Sequence, residues 1–201
     1  MEPQQRRLSH ELESWLRSDG DKSLRSLVGV FGDSSFAILF VLLLGVSALP
    51  LPTGGVTHVL EIIAMLLALQ LIAGREQLWL PARWRELQLA GERQERFISA
   101  LMKMIRWLER YSRPRLRLLF NHRLTNIVFG LLVLIGSVGA FVAPPFSGLD
   151  TLPSLAVVVL SLGVVLEDAL VVAAALVIGI VGVVLEVVLG AAAIKGISSL
   201  L

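Results

Sequence analysis

The sequence predicts an all-α polytopic membrane protein: two sequence-related broken-helix hairpins, an internal repeat, joined by an amphipathic interfacial linker. Three observations carry this expectation. Of 201 residues, 55% are hydrophobic and 17% charged, where soluble domains carry roughly 25% charge. Ser34 to Leu60 and Leu124 to Leu149 run for 27 and 26 residues without Asp, Glu, Lys or Arg, and about 20 apolar residues cross the hydrocarbon core. Finally, a shift of 93 residues lays Pro52 on Pro145, Gly55 on Gly148, Leu67 on Leu160 and Leu69 on Leu162. Coincident Pro and Gly breaks weigh more in this repeat than matched leucines in apolar sequence.

Residues 1–33 read as cytoplasmic surface helices. Leu8, Leu12, Trp15 and Leu16 recur at helical spacing, as do Leu24, Leu27 and Val28 after Asp19–Gly20–Asp21. This stretch is too polar, and the apolar run after it too long, for a secretory signal peptide. Residues 34–74 form the first membrane repeat, with spans near 35–49 and 56–73. Residues 75–123 form a basic linker. Residues 124–168 form the second repeat, with spans near 126–143 and 153–166, and residues 169–201 a C-terminal membrane helix and tail with a span near 169–192. Several spans have only about 14 to 18 residues, short of a full crossing. Re-entrant hairpins meeting in mid-membrane are therefore an alternative to five crossings.

Charge sets the orientation. Of 18 Lys and Arg, five lie in residues 1–33, twelve in 75–123, and the last is Lys195. The positive-inside rule places both basic blocks in the cytoplasm. The breaks at Pro50–Gly55 and Pro144–Asp150 hold no Lys or Arg and face the outside or the membrane interior.

In the linker the spacing predicts a helix over about 92–110. Phe97, Ile98, Leu101, Met102, Met104, Ile105 and Leu108 share one face; Glu92, Glu95, Arg96, Lys103, Arg106, Glu109 and Arg110 share the other. Such a helix lies on the cytoplasmic leaflet or packs on a partner subunit. Trp79, Trp84 and Trp107 suit the head-group level. Arg106, Arg110, Arg113, Arg115 and Arg117 suit anionic lipid heads. Nucleic-acid binding fits poorly, because the basic residues alternate with acids and are tethered to spans.

The breaks are the first candidates for function. Proline removes a backbone donor and blocks the bond to the preceding turn. Inside lipid the freed carbonyls must line a polar cavity or be buried in protein, and paired interruptions in two halves point to a transporter-type site. Pro50, Pro52, Gly54, Gly55, Pro144, Pro145, Ser147 and Gly148 are therefore candidate pathway residues. The competing reading is a pair of ordinary turns outside the bilayer. Intramembrane ionisable residues are functional candidates because their burial is costly. His58 and Glu61 stand one turn apart on one helix face. They form either a proton relay or, as their place near the start of the span favours, a water-wetted outer mouth. Gln70 is a polar group of the kind that joins helices. Glu186 follows the uncharged run Ala169–Leu185 and is either exposed at an interface or cavity-lining. Glu167 and Asp168 read as a solvated turn.

With no cysteine there are no disulfides or thiolate sites. His10, His58 and His122 lack metal-ligand spacing, so neither metal nor cofactor is expected. No hydrolase or phosphate-cradling motif stands out, which argues against an enzyme.

The segment Leu67–Pro81, "LALQLIAGREQLWLP", with Gln70, Gly74, Trp79 and Pro81, resembles the signature of the ExoD family of exopolysaccharide-synthesis membrane proteins. "LPLPTGG" (Leu49–Gly55) is similar to that family's first Pro-rich break, and "LSLGVVLEDALVV" (Leu160–Val172) to its apolar run ending in an acidic pair. The resemblance covers roughly residues 8–195. The second break, Ala143–Gly148, is less regular than the family's Pro-x-Pro form. The resemblance implies a small multi-pass protein of the bacterial inner membrane, linked to exopolysaccharide production. The expected function is a transporter or channel for a small ion, a proton or a lipid-linked sugar. Five short spans make a thin wall, so a homodimer is expected to complete the pathway, in contact with membrane lipids. The alternative is a non-transporting scaffold that engages exopolysaccharide-synthesis proteins through the basic linker.

Overall fold

The computed structural model describes residues 10, 13–14, 34–48, 56–75, 79, 92–112, 123–143 and 148–198. Among them the fold is all-helical, with six helices and no strand: α1 Ser35–Ser47, α2 Val56–Ile72, α3 Glu92–Tyr111, α4 Arg123–Val142, α5 Thr151–Val165 and α6 Ala169–Ser198. Apart from three helical positions at His10, Glu13 and Ser14, the expected N-terminal helices lie outside the described residues.

Length separates the helices into two sorts. The segments Leu124–Val142 of α4 and Ala169–Gly190 of α6 are long and apolar enough to cross a membrane, by length and composition. The other apolar helices, α1, α2 and α5, have 13, 17 and 15 residues, or about 20 to 25 Å at 1.5 Å per residue.

The short α1 is apolar on all sides, and a helix of that kind is stable only when surrounded. Ser35 to Gly45 and Ser47 are all buried. Helix α1 packs mainly on α5 and α2 and touches α3 and α4, while α4 packs on α2 and α5. Helix α1 thus lies against α5, and α2 against α4. Phe40 joins the halves, its ring edge-on to Phe129 of α4 at 5.8 Å.

Helix α6 packs almost wholly on α5, and small residues allow the approach. A Cβ on Gly163 would stand 2.9 Å from the Val172 backbone nitrogen, and one on Gly182 3.1 Å from the Pro153 nitrogen. Among its described side chains, Val177, Ile180, Val184, Val187 and Val188 are apolar and open.

The turns that end α2 and α5 are built alike. After α2, Gly74 N–H donates to Leu71 O and Arg75 N–H to Gln70 O; after α5, Glu167 N–H donates to Val164 O and Asp168 N–H to Gly163 O. This double closure needs a left-handed residue, supplied by Gly74 at φ 74° and by Glu167 at φ 54°. Corresponding residues stand 93 apart. The second turn is not simply solvated, as the sequence suggested. Asp168 is buried, and its Oδ1 accepts the Leu170 N–H at 2.9 Å, capping the first turn of α6.

The linker helix also differs from the expectation of a helix lying free on a leaflet. Its apolar stripe is used inside the chain: Met102, Ile105 and Leu108 are buried in the common core, where α3 meets α1. Lys103, Arg106, Trp107 and Arg110 stay exposed on the other face.

Candidate functional site

The end of the bundle where both chain breaks fall carries the polar residues of interest. The first turns of α2 place His58 and Glu61 on one face, three residues apart. Glu61 has no exposed surface, and the His58 side chain keeps 30% of its own. A wetted mouth is therefore not where Glu61 lies. Ser47, the last residue of α1, sits across the break and donates its hydroxyl to Glu61 Oε1 at 3.0 Å. His58 Nδ1 approaches Glu61 Oε2 to 3.2 Å. Both atoms are buried, and neither has another hydrogen-bond partner among the described residues. Phe141 of α4 covers the imidazole, ring centres 5.4 Å apart.

Two further carboxylates lie in the neighbourhood. Asp150, just before α5, acts electrostatically on both Glu61 and Glu186. Glu186 of α6 turns inward toward α4: its Oε2 would stand 3.3 Å from a Cβ on Gly139, and its Oε1 is buried without a hydrogen-bond partner. Two buried serines complete the polar set. Ser137 of α4 and Ser154 of α5 have no exposed surface, and neither Oγ has a hydrogen-bond partner. Ser161, deeper in α5, shows the usual alternative by donating to the Val157 carbonyl at 2.8 Å. A buried hydroxyl left unmatched is destabilising by about 1–3 kcal/mol, so two at one end of a bundle require an explanation. Among the described residues no group of three or more His, Asp or Glu is arranged to hold a metal ion.

The other candidates are dispersed. Gln70 lies nine residues beyond Glu61 on α2, about 14 Å along the axis. Its amide donates to Trp79 O at 2.9 Å and accepts Trp79 N–H at 2.8 Å, tying the exit of α2 rather than joining the Glu61 cluster. Gly148, at φ 70°, is an exposed turn residue before α5. Trp79 and Trp107 are exposed, and the Trp107 ring lies tilted against Tyr111, centres 5.4 Å apart. Arg106 pairs loosely with Glu13 at 3.6 Å, and Arg110 is exposed. Pro50, Pro52, Gly54, Gly55, Pro144, Pro145, Ser147, Trp84, Arg113 and Arg115 lie outside the described residues.

Ser47, Phe141, Asp150, Ser137 and Ser154 were not among the sequence candidates. One sequence signal bears on Ser154: it stands 93 residues after Glu61.

The fold and this enclosed polar cluster define a helical protein with a buried ionisable group near one end of a largely apolar bundle. Comparison with known proteins then identifies the family. The family described as "Exopolysaccharide synthesis, ExoD" matches residues 8–188. Protein ExoD of Rhizobium meliloti is 32% identical over 175 residues, covering 84% of this chain and 71% of that protein. An uncharacterized protein of a Synechocystis strain is 28% identical over 177 residues, covering 87% of this chain and 82% of its own. The chain belongs to the ExoD family, linked to exopolysaccharide synthesis. No solved structure matches it.

Proposed function

We propose that the chain is a multi-pass protein of the bacterial inner membrane that carries a small ion, a proton or a lipid-linked sugar along a pathway past the two chain breaks. One observation carries this reading. Glu61 is enclosed by α1, α2 and α4 in a largely apolar bundle, with Ser47 and His58 beside it. A carboxyl at such a place is expensive to keep, and its commonest use inside a membrane is in an ion or proton path. The packing of α1 on α5 and of α2 on α4, with the two like-built turns 93 residues apart, supports a repeat architecture, and repeats of that sort place their sites near the midplane. The open apolar surface of α6 suits lipid, and two copies give the pathway a thicker wall. The basic N-terminus and linker then face the cytoplasm, and no group-transfer chemistry is assigned.

Flux measured in proteoliposomes tests the reading. Glu61→Gln and Pro52→Ala are expected to cut it at least tenfold at unchanged protein incorporation. Flux that ignores both substitutions refutes the pathway.

A second reading has an observation of its own. The outer face of α3 presents Lys103, Arg106, Trp107, Arg110 and Tyr111, a surface suited to anionic lipid heads or to exopolysaccharide-synthesis proteins. On this scaffold reading, charge reversal at Arg106 and Arg110 lowers polysaccharide output; normal output excludes it.

A further inference from the structure

We infer that the Glu61 cluster is a binding site for one dehydrated alkali cation, Na⁺ being the probe, with a proton as its competitor. The inference rests on the transport reading and narrows its cargo.

The geometry sets the size of the ligand. Glu61 has no exposed surface and is held between helix ends, so a sugar ring does not reach it but a single ion does. Charge sets the valence. Glu61 is the one carboxylate in contact with the hydroxyl and the imidazole, with Asp150 acting on it electrostatically, and among the described residues no group of three or more His, Asp or Glu is arranged to hold a divalent ion.

The donor set is of the right kind. Hard cations take oxygen ligands. Glu61 Oε2 is buried and faces His58 Nδ1, Oε1 is held by Ser47, and the unmatched hydroxyls of Ser137 and Ser154 lie on α4, which packs on α2, and on α5, which packs on α1. These residues share a level: Ser47 ends α1, Glu61 and Ser137 are five residues from the nearer ends of α2 and α4, and Ser154 is three residues into α5. All lie within about 8 Å of the helix ends at the breaks. At the 93-residue offset the second half has Ser154 where the first has Glu61, so one carboxylate serves the site.

A proton competes for Glu61, and two other titratable groups act on it: His58 on α2 itself and Asp150 before α5, which in turn acts on Glu186 of α6. The described parts of α1 carry no titratable side chain, and Arg123 of α4 lies at the far end of that helix.

The test is thermal unfolding of the full chain in detergent, at constant ionic strength, in Na⁺, Li⁺, K⁺ or choline at pH 8.5 and pH 6, with equilibrium binding of radioactive Na⁺ alongside. An alkali cation at a hundredfold excess over its Kd is expected to raise Tm by roughly 5–10 °C over choline, less at pH 6. Glu61→Gln abolishes the rise. Ser154→Ala and Ser137→Ala each weaken Na⁺ binding several-fold, while Ser161→Ala, whose hydroxyl is already matched, leaves it unchanged. Equal Tm in all four cations overturns the inference, as does an undiminished shift in Glu61→Gln. Should Glu61→Gln fail to fold, unaltered binding in both serine variants overturns it equally. Binding without flux in vesicles sustains the site and removes the transport reading; flux without binding removes the site alone.

Discussion

Exchanging the residues at the two like-built turns, Gly74→Ala and Glu167→Gly, is expected to change stability in opposite directions. Both residues are left-handed, at φ 74° and 54°, and both sit where the same pair of backbone bonds closes a helix. A side chain in that conformation is disfavoured by about 1–2 kcal/mol. Glycine escapes this but has a looser unfolded chain, a difference of about 0.4–1 kcal/mol. Gly74→Ala therefore destabilises by roughly 0.5–1 kcal/mol and Glu167→Gly stabilises by a similar amount. For a chain of this length 1 kcal/mol moves Tm by about 2–4 °C, so the variants should fall some 1–4 °C below and above the parent. Circular dichroism melts in one detergent at fixed protein concentration resolve that. Equal losses in both variants would refute the argument, because the Glu167 side chain would then contribute more than its backbone strain takes away.

Three other outcomes are open to the same melts. Leu39→Ala, at a fully buried position of α1, should cost about 3–5 kcal/mol; a loss under 1 kcal/mol would mean that α1 is not enclosed. Asp168→Ala removes the cap of α6 and should cost about 1 kcal/mol, with Asp168→Asn recovering most of it. Arg106→Ala should leave Tm unchanged within about 0.5 kcal/mol, since its pairing with Glu13 is long and exposed.

Helix positions were largely legible in the sequence. Pro, Gly and acidic residues punctuate the apolar runs, so the segment expected near 35–49 is the helix Ser35–Ser47, and that near 126–143 is Arg123–Val142. Partners were not legible. The stripe Met102, Ile105 and Leu108 has one appearance whether it meets lipid or protein, and only the third dimension shows it against α1. His58 and Glu61 were visible as a pair because they lie on one helix. Ser47 was not, because its contact is made across 14 residues and a break. Glu167 concealed its turn, since a left-handed backbone is expected of Gly or Asn. The offset of 93 from Gly74 was the one available clue.

The burial of α1 has a consequence for synthesis. Its main neighbour, α5, begins at Thr151, about a hundred residues after α1 ends at Ser47. At roughly 5–20 residues per second the ribosome takes some 5 to 20 s to deliver it. Through that interval α1, only about 20 Å long, waits for its main wall. A nascent chain arrested before α5 should therefore be held by the insertion machinery or a chaperone. Release of the assembled bundle should coincide with the arrival of the second hairpin.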